Sequence, residues 1–352
     1  TGAAEYTAGR NLTIDGNAAV EAASITMSAK NGNASISKSL EATDGDIVVN
    51  ALNGDVAIHD IQTANKGAVV NVAGNNLFVS DRITARNLVA VQAMDGSATV
   101  DAIEVGEEGA AHVFAGMDAK LRGEVIAREV NVLAEHGDIT ADMAITARSG
   151  GIIAEAGRDI KVTGTQSAAN GAVSNTARNN LTVEGEIIAG DDITLKATEG
   201  NLELSANATS NDGVISAEAG RDAKVTGMQS AANGTVSNTA RNNLTVEGEI
   251  TARDSITLKA TEGDLELSAN ATSNDGVISA EAGRDAKVTG MQSAANGTVS
   301  NTARNNLTVE GEITARDSIT LKATEGDLEL SANATSNDGV ISAEAGRDAK
   351  VT

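Results

Sequence analysis

From Arg178 onward the chain repeats itself. The 63 residues from Arg241 to Ala303 recur at Arg304, and the 49 positions that follow from there are identical. An earlier copy beginning at Arg178 differs at a few positions, such as Ile188 where the next copy has Thr251. Each copy consists of three lines of 21 residues, RNNLTVEGEITARDSITLKAT, EGDLELSANATSNDGVISAEA and GRDAKVTGMQSAANGTVSNTA. The shorter period, at 20 to 22 residues, runs back through diverged lines that begin at Gly9, Asn31, Asn53, Gly74, Asp95, Gly116, His136 and Gly157. Self-similarity at so short a period means that one unit cannot bury its own apolar face and must stack on its neighbours. The chain therefore divides into residues 1–177, coils of diverged repeats, and residues 178–352, coils of near-identical 63-residue repeats continuous with the first part.

Within a line the apolar residues alternate. In the line from Arg241 they are Leu244 and Val246, then Ile250 and Ala252, then Ile256, Leu258 and Ala260. A period of two marks a strand with one buried face. Gly, Asn, Asp or Ser separates the stretches, so each ends in a turn. The i, i+3, i+4, i+7 pattern of a helix is absent. Composition agrees with a narrow interior: Ala, Val, Ile and Leu supply nearly all the apolar 41%, and there is no Trp, one Tyr and two Phe. The absence of Pro suits coils whose N–H groups all donate to a neighbour. The expected fold class is all-β: a right-handed parallel β-helix, or solenoid, of about 21 residues per coil with three short strands per coil.

Two lines are less regular. In EGDLELSANATSNDGVISAEA the third strand is expected to turn Ile215, Ala217 and Ala219 inward, after a one-residue bulge. In GRDAKVTGMQSAANGTVSNTA the large apolar residues are Val225, Met228 and Val236, which predicts a thin core and easy local opening.

The third position of the coil holds Asn or Asp in 16 of 17 cases, with Ser97 the exception. The series is Asn11, Asn33, Asp55, Asn76, Asp118, Asp138, Asp159, Asn180, Asn201, Asp222, Asn243, Asp264, Asp285, Asn306, Asp327 and Asp348. It reads as a structural turn ladder, each residue tolerating a left-handed backbone and bonding its own chain. Calcium is the competing reading, but Asp and Asn are mixed and the nonapeptide of calcium-binding β-rolls is missing.

Chemistry is hard to place elsewhere. No cofactor is expected, and the chain lacks Cys for thiol chemistry or thiolate metal sites. His59, His112 and His136 fall in different coils at different positions, which argues against a shared metal and for solvent-facing or turn histidines. Tyr6, Phe78 and Phe114 read as local packing, with Phe78 outward beside inward Leu77 and Val79. Carboxylates such as Glu247, Glu249 and Asp254 recur with each copy instead of forming one constellation, so no enzyme is expected. A net charge of −23 sets the surface against nucleic acid and anionic membranes. No apolar run suits membrane insertion, and the start lacks a signal-peptide layout, so the chain is expected to be an interior stretch of a longer protein.

The lines GRNLTIDG, AGNNLFVS, AGRDIKV and ARNNLTVEGEI, each followed by ITLKA-type strands, resemble the repeats of filamentous haemagglutinins. These belong to the two-partner-secreted exoproteins, which include adhesins and contact-dependent growth-inhibition effectors. The resemblance covers essentially the whole chain and rests on repeated pattern. It implies a β-helical filament exported from Gram-negative bacteria through an outer-membrane transporter partner, secreted or held at the cell surface. Host-cell or bacterial-cell receptors would be met through regions outside this stretch. The expected function is a structural rod or stalk that projects a distal binding or toxin domain. The alternatives are a repeated low-affinity surface for glycans or host matrix, and, more remotely, a polysaccharide-acting β-helix enzyme.

Overall fold

A computed structural model of the chain describes residues 2–16 and 18–352. It falls into two compact units, Thr1–Ala177 and Arg178–Thr352. Each unit is a parallel β-solenoid with no helix among its described residues: the chain winds in coils, and within a unit successive coils pair equivalent strands in parallel. In the coil from Arg241 the strands are Leu244–Val246, Ile250–Ala252 and Ile256–Ala260. These are the three apolar stretches that alternate in the sequence.

The side-chain period of two places seven residues of each regular coil inside. Leu244, Val246, Ile250, Ala252, Ile256, Leu258 and Ala260 are all buried, and Thr245, Thr251 and Thr257 face outward on three different sides. Pairing in register makes these positions into columns. Leu244 sits under Leu265, which sits under Ala286 and then Leu307. The two first-strand columns are continuous apolar stacks, and such repeated burial is the main term holding coils together.

The expected inward set of the second line is correct: Ile215, Ala217 and Ala219 are buried and Val214 is exposed. The expected bulge is not there. The strand Ile215–Ala219 pairs with Val236–Ala240 without a register break. The extra residue sits instead in the corner, which has four residues at 211–214 where the line from Arg241 has three at 253–255. The next corner of that coil is correspondingly shorter. Third strands therefore follow one another at 22, 21 and 20 residues, from Ile256 to Ile278 to Val299 to Ile319, while first strands keep 21 throughout. The strands hold their register and the turns absorb the difference.

The third line is not thin in the way its sequence suggests. Met228 is exposed at a corner, and the residue after it, Gln229, is buried. Gln229 meets the buried Asn238 across the interior: the Gln Nε2 donates to the Asn Oδ1 at 3.0 Å, and the Asn Nδ2 donates back to the Gln Oε1 at 2.6 Å. The same reciprocal pair occurs at Gln62–Asn71, Gln166–Asn175 and Gln292–Asn301. An amide with both halves engaged escapes the cost of an unpaired buried polar group. No described buried side-chain polar atom is left without a partner.

In the first unit, two coils depart from three separate strands. Leu77–Ala85 and Ala98–Val105 each run through the corner between the first and second strands, with a register shift between Val79 and Arg82. The sequences there, VSDRI and VDAIEV, lack the corner glycine of VEGEI. That glycine matters because a Cβ on Gly248 would overlap the backbone carbonyl of Gly227 in the coil before.

Candidate functional site

The Asn/Asp series occupies one corner, just before the first strand of each coil, and forms a hydrogen-bonded ladder. Each side chain accepts from the backbone N–H of its equivalent in the following coil. In the first unit Asn11 Oδ1 accepts from Asn33, Asn33 from Asp55, Asp55 from Asn76 and Asn76 from Ser97. Ser97 continues the series with its hydroxyl, which accepts from Asp118, and Asp118 and Asp138 accept from Asp138 and Asp159. In the second unit the ladder runs from Asn180 through Asn201, Asp222, Asn243, Asp264, Asp285, Asn306 and Asp327 to Asp348, at 2.9 to 3.3 Å. The left-handed backbone expected at these residues is absent: no described non-glycine residue has a positive φ, and Gly16 has φ 109°. The selected property is thus an oxygen on a short side chain, aimed along the axis.

Charge along the ladder is handled locally. Where Asn follows Asp, both its backbone N–H and its Nδ2 donate to the same carboxylate oxygen, as Asn243 does to Asp222. Where Asp follows Asp, an Arg from the GRD line crosses the pair. Arg158 donates through Nε and Nη2 to Asp138 and through Nη2 to Asp118. The hydrogen bond to Asp138, then its charge, pushes the Arg158 guanidinium pKa above its ordinary value. Arg284 clasps Asp264 in the same way, whereas Arg221 forms no such pair with Asn201. In the diverged coils, Lys66 donates to Asp44 and holds that carboxyl below the usual range. Both groups are well exposed, so the pair adds little stability.

Two further corners carry ladders of the same kind. At the corner before the second strand, Asn207 and Asn270 accept from the N–H of Met228 and Met291. At the corner before the third strand, Asp46, Asp192 and Ser255 accept from Ala68, Val214 and Val277. The signal in the sequence is the same residue class recurring at 21 or 22, but it is spread over fewer coils.

The outer faces of the two units differ. In the second unit the outward residues of the third strands are Ser, Thr, Lys and Glu, with Lys196, Lys259 and Lys322 ion-paired to Glu218, Glu281 and Glu344 one coil on. In the first unit the equivalent face carries an open groove lined in part by Gln92, Met94, His112, Phe114, Asn131, Leu133, Ile153 and Glu155. Strand register sets two columns: Gln92, Phe114, Leu133 and Glu155, and beside them His112, Asn131 and Ile153. Leu133 and Ile153 are exposed and Phe114 is half-buried. The His112 and Asn131 side chains approach to 3.4 Å. Phe78 lies on another face, outward as expected, against the His59 ring at 5.8 Å and under the Arg122 guanidinium at 5.1 Å. Tyr6 is exposed.

All three histidines are exposed and stand apart; His136 lies 4.0 Å from Glu135. No group of three or more His, Cys, Asp or Glu that could hold a metal occurs among the described residues. No helix is long and apolar enough to cross a membrane. No family model matches the chain, and no curated protein or solved structure matches it either.

Proposed function

We propose that the chain is a non-catalytic spacer: a solenoid stalk within a large bacterial surface protein, secreted through an outer-membrane transporter partner and carrying a distal binding or toxin domain outside this stretch. One observation carries the reading. Near-identical coils stack in register with corners of only a few residues, so each added copy extends the solenoid without introducing new side-chain chemistry. Outward carboxylates such as Glu262 and Glu281 recur in each copy and are spent on ion pairs to neighbouring coils. The acidic coat, at −23, keeps parallel copies apart and disfavours nucleic acid as a partner.

The test is to vary the copy number in the parent protein. Removing or adding one 63-residue copy should change the distance between tip and cell while leaving tip affinity and export unchanged. Loss of affinity on removing a copy, or recovery of the parent protein only from the cytoplasm, would refute the proposal.

A further inference from the structure

The outward face of the third strands is polar throughout the second unit, so this fold does not need apolar residues there. The groove around Phe114 therefore requires a separate explanation. We propose that it binds a neutral oligosaccharide, lying along the solenoid axis across the coils that carry Gln92, Phe114, Leu133 and Glu155. This goes beyond the spacer reading and does not depend on it.

The chemistry of the lining supports that class of ligand. A hexopyranose has an apolar face of C–H groups and a rim of hydroxyls. Phe114, flanked by Leu133 and Ile153, offers an apolar platform with an aromatic ring. Gln92 and Glu155 bracket Phe114 and Leu133 in the same column, and neither side chain has a hydrogen-bond partner among the described residues. Asn131 and His112 stand beside the platform at a separation of 3.4 Å. Amides, a carboxylate and an imidazole can together donate to and accept from hydroxyls on either side of a sugar ring. The groove is shallow and open, which suits a chain of rings. Side chains in one column step by about 4.8 Å, close to the length of one pyranose unit, so successive rings would meet successive coils. With Glu155 in the lining and a chain charge of −23, anionic polysaccharides are disfavoured.

The experiment uses the full chain with cellotetraose, maltotetraose and mannotetraose as neutral probes and tetragalacturonate as the acidic one, read by saturation-transfer NMR and titration calorimetry. At least one neutral tetrasaccharide should bind with a Kd of about 1 mM or tighter. Phe114→Ala should weaken it about tenfold while leaving the circular dichroism spectrum unchanged, since the ring faces outward. Gln92→Ala and Glu155→Gln should each weaken binding. Phe78→Ala, on another face, should have no effect. Silence from all three neutral probes, binding that survives Phe114→Ala, or equal binding of the acidic probe would overturn the proposal. So would concentration-dependent dimerisation in sedimentation that Phe114→Ala abolishes, which would assign the groove to a second copy of the chain.

Discussion

The least expected residues are the amides inside the solenoid. Gln62 lies in a column between Leu40 and Ile83, and Asn71 in one between Val49 and Val91. Their neighbours are therefore apolar, and the pair persists because each amide satisfies the other. Gln62→Leu alone should strand the Asn71 amide and destabilise the first unit by about 1–3 kcal/mol. The double variant Gln62→Leu/Asn71→Val rebuilds both columns and should recover most of that loss, giving a coupling of about 0.5–3 kcal/mol between the sites. Urea unfolding of the two single variants and the double variant measures it; additive losses would show that the pair is not a unit. Truncating an ordinary column residue behaves differently. Leu244→Ala removes buried methyls with no polar consequence and should cost about 2–5 kcal/mol, with unchanged stability counting against its inward position.

At the level of strands and corners, turn length and register are separable. The corner at 274–277 has four residues and the one at 283–285 has three, whereas the coil before has three and four. Deleting Asp275 leaves this coil with two three-residue corners, one residue short of the three and four that the coil before combines. One of the flanking strands must then slip, and a one-residue slip exchanges its two faces. Inserting one residue after Gly283 in the same variant reproduces the three-and-four arrangement in which Ile256–Ala260 and Leu265–Leu267 are both in register, and should recover both strands. Amide hydrogen exchange over 278–288 checks this: protection should be lost in the deletion and restored in the compensated variant, and protection still lost in the compensated variant would show that turn length fixes the register. The strands were legible in the sequence because period-two alternation maps directly onto burial, as at Leu244, Val246 and Ile256. The Asn/Asp corner was legible because one residue class recurs at one place. Its mechanism was not, since a bond to a residue about 21 positions later is invisible to rules of local turn geometry. The Gln–Asn pairs are masked in the sequence because a polar residue in an alternating stretch reads as outward-facing. Their constant separation of nine residues was the available signal. The groove had none: Phe114, Leu133 and Ile153 become neighbours only once three coils are stacked.

For the whole molecule the relevant quantity is copy number. Stability of a stacked array is the sum of what each repeat contributes and what each interface between neighbours adds. Inserting one further 63-residue copy into the second unit adds three coils, about 14 Å along that unit's axis. It should raise the urea midpoint of that unit and leave the groove of the first unit, and any ligand it binds, unaffected. An unchanged or lowered midpoint on adding a copy would contradict the nearest-neighbour account.

The corner ladders also give the solenoid a direction. Their bonds run from a backbone N–H of the later coil, joined at some steps by an Asn Nδ2, to a side-chain oxygen of the earlier one, as from Asp264 to Asn243. The two faces of any coil are therefore chemically unlike: one holds out side-chain acceptors, the other bare amide donors. A coil arriving on the acceptor face finds the oxygens that fix its corners already in position. A coil arriving on the opposite face must supply its own. The finished coil is a template for the next one in the order in which the chain is synthesised, and a poorer template in reverse.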